Sequence, residues 1–524
     1  MAAETPSSCW LDVQSIVRCD NRHEISLLAT PTESNSIAAL TKELNKVKHQ
    51  LMPAASLCAQ AVNEFHEQIG SHERTNASYE FRRARSMCNQ YESLGASRHN
   101  RAEPRNSRKR TRRNEQNDGF GTHQFVNRSA LKLANIDALL GFKLLLSNKH
   151  QDPAAKLLVS DAEQRNDKYF SFVDLCGAPG GFSEYILFRH ANAAKSKMED
   201  NSSSSSSSSG NNQIISTTRA KVETSYAMVN DVYTKKKYPC YGFGMSLIGT
   251  NEDGKGASWD LSHLQQYHHS KQSNHKRRNS KQTEVNDSLH YTVCSGSDET
   301  GSIYNWDNVL HLEHVIASTL NNANLGDGHS RGLVHLVVAD GGFDAQRDSS
   351  SQEEVAHRII VSQTAAALHL LRPGGNFVLK MFGFQMDRTK RMMACVHERF
   401  REMVLIKPIV SRPASAERYL VCLDFIGCDK IWDGLAWKDE MLGDDMNIGN
   451  NDMNTSNDNL QSSINDILHS FDLQMLELNI ESCRSIVNHL NERTSAAQNC
   501  ELRSTFKQKN DIDLKLYGRS WQLS

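Results

Sequence analysis

The sequence predicts an α/β fold, a parallel, doubly wound sheet with helices in front of it and solvated segments inserted into it. Three observations carry that prediction. Short apolar runs of strand length alternate with amphipathic stretches from about residue 125 to 428, as parallel strands require, because each crossover back to the same sheet edge takes a helix. One of those runs, residues 169–175, passes through a Gly- and Pro-rich turn directly into a helical stretch. Only 38% of the 524 residues are hydrophobic and the mean hydropathy is −0.57. That is too little apolar material for one fully packed globule, so a folded centre must carry polar additions.

Residues 1–35 read as a tail and 36–103 as a helical region. Within it, 36–69 carry apolar residues at helical spacing interrupted at Pro53, which predicts two helices. Residues 104–118 form a basic linker, with six basic residues and no large apolar one in 104–113. The folded domain then spans 119–428. Residues 125–146 predict an amphipathic helix, 169–175 a buried strand, 182–189 the start of a helix and 241–247 a second strand. Residues 334–339 predict a third strand that ends at Asp340, and 352–371 a helix stopped by Arg372-Pro373-Gly374-Gly375. A strand at 376–381, a helix at 391–400 and strands at 404–408 and 419–425 complete the pattern. Two disordered insertions are expected, at about 191–238, with eight consecutive serines, and at about 268–290. The Asn- and Asp-rich residues 429–463 read as a linker, and 464–524 as a C-terminal helical segment whose helix is 464–492.

Charge and cysteine content narrow the function classes. The chain holds 60 basic and 61 acidic residues, a net charge of −1, so only a local cluster can attract a polyanion. Arg105–Arg113 is such a cluster, readable as a phosphate contact, a nuclear-localisation signal or a solubilising tail. Twelve cysteines without a CxxC pair argue against a disulfide framework or a zinc site, and no metal centre is expected. The N-terminus lacks the pattern of a signal peptide, and no apolar run approaches the roughly 18 residues of a membrane span, so no membrane role is expected.

The turn after residues 169–175 is Cys176-Gly177-Ala178-Pro179-Gly180-Gly181-Phe182. Ligands of open α/β sheets bind beyond the carboxyl ends of the strands. Glycines there let backbone approach a ligand, and the next helix offers free N–H groups. Asp174 at the strand end suits an ammonium or a hydroxyl. The turn is neither a phosphate loop, which needs a following Gly-Lys-Ser/Thr, nor the G-x-G-x-x-G of a dinucleotide fold. Two more strand ends carry ionisable residues, Asp340 and Lys380. Lys380 directly follows Phe377, Val378 and Leu379, and a lysine is normally excluded from a buried strand. Lys132 lies on the preceding helix and Glu417 just before the last strand. Taken singly, these three of the four have ordinary readings: a solvated lysine, a strand-end cap and a surface ion-pair partner.

The run DLCGAPGGFSEYI, residues 174–186, resembles the S-adenosyl-L-methionine loop of FtsJ-type methyltransferases, and Lys132, Asp340, Lys380 and Glu417 resemble in order and context their Lys-Asp-Lys-Glu tetrad. The segments FVNRSALKLANID (125–137), FVDLCGAPGGFSEYILFR (172–189), YGFGMSLIG (241–249), VVADGGFD (337–344), SRPASAERYLVC (411–422) and, upstream, FRRARSMCNQYE (81–92) are similar to those of the eukaryotic cap-specific mRNA 2′-O-methyltransferase 1 family. The resemblance covers about 80–430 outside the insertions. It implies a Rossmann-like, SAM-dependent methyltransferase sheet. It further implies a nuclear enzyme that methylates the ribose 2′-oxygen of the first transcribed nucleotide of m7G-capped mRNA. Such a reaction needs groups that orient a weakly acidic hydroxyl and manage its proton. By resemblance Lys380 accepts the proton or orients the hydroxyl, Asp340 holds and tunes it, and Lys132 and Glu417 position the ribose. Asn127, Asp174, Cys176, Gly177, Ala178, Pro179, Gly180, Gly181, Phe182, Ser302 and Ile303 would touch the cofactor, and Arg85 and Ser415 would lie near the capped RNA. Two departures stand out: Gly301-Ser302-Ile303 replaces the family's Gly-Asp-Ile, and Ser415 stands where Asn is usual. No G-patch is visible, and the family's guanylyltransferase-like and WW extensions do not fit the remainder after 428, so their partners are not implied. Two other readings share these motifs: an FtsJ-type enzyme acting on rRNA or tRNA, and a non-catalytic RNA-binding protein on the same fold.

Overall fold

A computed structural model describes residues 15–20, 25–27, 36–89, 125–145, 169–192, 239–249, 258–265, 289–323, 325, 333–342, 352–428, 432–443 and 458–502. In chain order the elements are β1 (Ser15–Asp20), β2 (Ile25–Leu27), α1 (Ile37–Gln68), α2 (Ala77–Cys88), α3 (Arg128–Leu139), β3 (Phe170–Leu175), α4 (Gly181–Asn192), β4 (Cys240–Met245), α5 (Leu261–Gln265) and β5 (Leu289–Val293). They continue with α6 (Trp306–Asn322), β6 (Val334–Ala339), α7 (Gln352–Leu370), β7 (Leu371–Met381), α8 (Asp387–His397), β8 (Phe400–Lys407), β9 (Arg418–Phe425), α9 (Gly434–Leu442) and α10 (Asp458–Gln498).

All the described strands join one sheet, ordered β2-β1-β8-β9-β7-β6-β3-β4-β5. β5, β4, β3, β6 and β7 are mutually parallel, as expected. The other half of the sheet corrects the all-parallel expectation: β9 runs antiparallel to both β7 and β8, and β1 antiparallel to β8. The cause lies in the connection. Residues 408–417 join β8 to β9 without a helix, and a strand returning without a crossover pairs antiparallel.

Strand side chains alternate between the two faces of the sheet. In β3, Val173 and Leu175 enter a core with α6, α7, α8, α9 and α10. Phe170 and Phe172 enter the opposite core with α3 and α4. A third layer forms where α1 and α2 pack on the long α10. It is tied by a buried ion pair, Arg493 Nε to Glu80 Oε2 at 2.8 Å.

Several local expectations change. Residues 37–68 are one helix with Pro53 inside it, not two. Buried Leu40, Leu44 and Val47 before the proline and Ala54, Cys58 and Val62 after it form one stripe against α10, and that packing outweighs the lost hydrogen bond. α3 stops at Leu139, short of the expected 146, because Gly141 and Phe142 take left-handed φ of 64° and 63°. α9 occupies part of the expected linker, started by Asp433, whose carboxylate accepts from the amides of Leu435 and Ala436. Arg372-Pro373-Gly374-Gly375 follows the end of α7 at Leu370 as expected, but β7 begins five residues early and runs through it, with a register irregularity opposite Val334–Leu336. The Arg105–Arg113 cluster, the serine run and most of both insertions lie outside the described residues.

Chain order reverses across β3: β4 pairs on one side and β6 on the other. That switch point opens a crevice beyond the strand ends, where the connections part in opposite directions. Register brings the key positions level there. Leu175 pairs with Ala339, Ala339 with Leu379, and Lys380 with Tyr419.

Candidate active site

The four ionisable residues singled out by sequence meet at this edge. Lys132, from α3, lies with Nζ 2.8 Å from Glu417 Oε1 and 2.9 Å from Oε2. Lys380, from β7, lies 3.6 Å from Glu417 Oε2 and 3.2 Å from Asp340 Oδ1, and also donates to the Asp340 backbone carbonyl at 3.4 Å. Charges therefore alternate along a chain, Lys132–Glu417–Lys380–Asp340, and two cations balance two anions. The side chains remain 11–14% exposed, so the cluster is sheltered yet reachable.

Burial and charge compete at each group. Burial alone would lift the Glu417 carboxyl, but Lys132, Lys380 and Lys407 outweigh it and hold Glu417 well below the usual carboxylate range. Burial alone would lower the Lys380 ammonium, yet Asp340 and Glu417 outweigh it and raise Lys380 above its ordinary value. Lys380 is thus an ammonium at neutral pH.

Four residues that sequence reasoning missed complete the cluster. Ser129 Oγ donates to Asp340 Oδ2 at 2.7 Å, and Tyr419 OH to Asp340 Oδ1 at 2.8 Å. Ser411 Oγ donates to Glu417 Oε1 at 2.7 Å. Lys407 reaches the Ser415 and Glu417 carbonyls. Lys407 had a readable signal, since it follows Val404, Leu405 and Ile406 as Lys380 follows its own apolar run; Tyr419 neighbours Lys380 only once β7 and β9 pair.

The Gly-rich turn lies one strand over. Asp174 is fully buried, and its Oδ2 accepts from Ser183 N at 3.2 Å and Ser183 Oγ at 2.7 Å. Its Oδ1 is buried with no hydrogen-bond partner. Burial pushes Asp174 up to about 7, against the Ser183 hydroxyl and with help from Asp340. Two positions need glycine for space. A Cβ on Gly177 would stand 1.8 Å from Asp174 Oδ1, and one on Gly181 2.1 Å from Asn127 Oδ1. Asn127 also caps α3, accepting from Ser129 N at 2.9 Å. Cys176 takes a left-handed φ of 56° and donates its amide to Met245 O at 2.7 Å.

Other expected contacts fall in varied places. Ala178, Pro179 and Gly180 form the turn itself, and Gly180 N donates back to Gly177 O at 2.8 Å. The Phe182 ring is buried in the core, its centroid 6.0 Å from that of Tyr419, so it ties the turn to the cluster by packing. Ile303 is likewise a core residue. Ser302 lies in the loop before α6, where its amide donates to Thr300 Oγ1 at 3.1 Å and its carbonyl accepts from Asn308 Nδ2 at 3.0 Å. Ser415 shapes the turn before Glu417, accepting from the Glu417 amide at 3.1 Å. Arg85 stands on α2, its guanidinium 5.7 Å from the Phe81 ring centroid. That helical layer reaches the site through Ala414, which packs against its apolar clusters.

With this geometry in place, the sequence also matches the family described as FtsJ-like methyltransferase, over residues 125–223 and 249–425. The chain belongs to the FtsJ-like methyltransferase family. This FtsJ-like chain is 26% identical over 343 residues to the cap-specific mRNA (nucleoside-2′-O-)-methyltransferase 1 of Drosophila melanogaster, a match covering 66% of this chain and 29% of that protein. The human protein of the same name is 28% identical over 316 residues, covering 59% of this chain and 27% of its own length. The match thus spans under a third of these relatives. Among solved structures, a putative ribosomal RNA methyltransferase from Plasmodium falciparum covers 58% of this chain and 99% of its own, at 14% identity and a TM-score of 0.28. At that score the likeness adds nothing to the assignment.

Proposed function

We propose that this chain transfers the methyl group of S-adenosyl-L-methionine to a ribose 2′-oxygen of RNA, at the first transcribed nucleotide of m7G-capped mRNA. The observation that carries the reading is the alternating chain Lys132–Glu417–Lys380–Asp340 beside a Gly-rich turn on the same sheet edge. The names of the curated relatives support the cap as the RNA end concerned, and a nuclear location follows from that substrate.

The residues present fit the cofactor. Its sulfonium and ammonium groups are cationic, and the turn offers a buried carboxylate oxygen without a partner, Asp174 Oδ1, with Asp340 near it. Asn127, Asp174 and the backbone of 176–181 would hold it, with Ser302, in the loop before α6, as a further candidate contact. When bound, it supplies a methyl group on an already good leaving group.

The protein's task is the nucleophile. A ribose hydroxyl is a weak acid and must be aimed. Lys380, kept charged by two carboxylates, donates to the hydroxyl oxygen and stabilises the negative charge that develops there. Lys380 on this account orients; it is not the free-amine base. Asp340 stands ready to take the proton as the oxygen gains its methyl. Glu417 keeps Lys132 and Lys380 from repelling one another, and Lys132 is left to grip the sugar or its phosphate.

The test is tritiated-methyl transfer to matched m7G-capped and uncapped RNAs. Strong labelling of the capped RNA alone is expected; equal labelling of both would return the reading to an rRNA- or tRNA-type substrate.

A further inference from the structure

We propose that Lys407 is a positioning residue for the methyl-transfer site: its buried amino group holds the backbone carbonyls of Ser415 and Glu417 and thereby sets the Glu417 carboxylate between Lys132 and Lys380. The inference rests on the function proposed above and adds a residue to it.

Lys407 is the last residue of β8 and is fully buried. A leucine or methionine would fill a buried strand end with no desolvation cost, so a lysine there needs a compensating role. Its Nζ donates to Ser415 O at 2.7 Å and to Glu417 O at 2.6 Å. Those carbonyls belong to the 415–416 and 417–418 peptide units, so the chain is held on both sides of the Ala416–Glu417 peptide. Residues 408–417 have no helix or strand to fix them. The start of this segment is held to α3, where Ile409 N donates to Asn135 Oδ1 at 2.9 Å and Arg128 donates to the Val410 carbonyl, and the rest is shaped by local turns, Ser411 N to Pro408 O at 2.9 Å and Ser415 N to Arg412 O at 3.0 Å. Lys407 anchors the end of this segment to the sheet. Glu417 is then fixed twice, at its backbone by Lys407 and at its carboxylate by Ser411 and Lys132.

The electrostatics agree with a holding role. Burial brings Lys407 down to about 7, helped by Arg418 and Lys132 and opposed by Glu417. An uncharged amine keeps two N–H groups, and two carbonyls receive them. The hold therefore survives loss of the charge.

The test uses the full chain with Lys407→Met, which keeps an apolar side chain and removes both donors. In the capped-RNA methyl-transfer assay kcat is expected to fall by about 10²-fold, the cost of a misplacement on the order of 1 Å. The KM for S-adenosyl-L-methionine and its calorimetric affinity should stay at the wild-type values. Lys407→Gln, which keeps two N–H donors on a shorter chain, should recover part of kcat, and it carries the same test if Lys407→Met does not fold. Unchanged kcat overturns the proposal, as does a parallel loss of donor affinity. If the wild type methylates no RNA, the proposed function fails on its own, and crystal structures of the two variants decide about Lys407. Glu417 displaced from Lys132 and Lys380 supports the assignment; Glu417 unmoved overturns it.

Discussion

Replacing Lys380 with methionine removes the cation on which the proposed chemistry turns. In the wild type its Nζ lies 3.2 Å from Asp340 and 3.6 Å from Glu417. Without it, Lys132 is the remaining cation of the four-residue chain, and that chain changes from neutral to a net single negative charge. A developing alkoxide would then face carboxylates in place of an ammonium. Loss of one preorganised donor to a developing oxyanion costs about 2.7–4 kcal/mol, or roughly 10²–10³ in kcat. Lys380→Met should therefore lower kcat by that factor while leaving S-adenosyl-L-methionine affinity near the wild-type value, because the turn at 176–182 is built on a different strand. Lys380→Arg should not restore the rate, since a planar guanidinium cannot take the place of a compact ammonium between two carboxylates. Single-turnover methyl transfer and isothermal calorimetry make the two readings. A kcat within a few-fold of wild type would refute the argument, since it would leave the hydroxyl aimed and its charge stabilised without Lys380.

Three further outcomes follow from the same structure. Asp472 of α10 is fully buried, pairs with Arg418 next to Glu417 and accepts the Phe384 amide at 3.2 Å; Asp472→Ala strands the Arg418 charge and should cost about 3–5 kcal/mol in chemical denaturation, whereas an unchanged midpoint would make the pair dispensable. Asp174, raised by burial to about 7, keeps its proton in the folded state after the unfolded chain has lost it at about 3.9. Its contribution to stability therefore falls as pH rises from about 4 to 7 and is fully unfavourable above 7. In ligand-free melts, the stability of Asp174→Asn relative to wild type should improve across that window, and a pH-independent difference would contradict the assignment. Gly177→Ala puts a Cβ against Asp174 Oδ1, an overpacking worth about 1–3 kcal/mol, and should weaken S-adenosyl-L-methionine binding by calorimetry; wild-type affinity would mean that the turn yields freely.

Much of this was legible before any coordinates because the informative residues sit at strand ends. Once 169–175, 334–339 and 376–381 are read as parallel strands, Asp174, Asp340 and Lys380 must lie on one edge. Their convergence needs no knowledge of side-chain packing. Lys407 follows an apolar run as Lys380 does, but its partners are backbone carbonyls of the turn before β9, and no side-chain pattern in the sequence points to those. Ser129 and Ser411 act over 211 and 6 residues of sequence separation, and nothing local marks a serine as a carboxylate's partner. The helix 306–322 carried a readable signal, an Asn305 cap with Val309, Leu312, Ile316 and Leu320 at helical spacing. That signal is less conspicuous than the loop motifs beside it. Pro53 misled because tertiary packing against α10 overrides a local breaker. β1 and β2 add to a sheet edge formed by residues almost 400 positions later, and tail composition does not predict such an addition.

The central claim is that the acceptor is the 2′-hydroxyl of the first transcribed nucleotide, aimed by Lys380. Its most direct test is methyl transfer to m7G-capped RNA that carries a single 2′-deoxy sugar at that nucleotide, compared with the all-ribose RNA. The account predicts labelling of the ribose RNA and none of the deoxy RNA. Equal labelling of the two would contradict it.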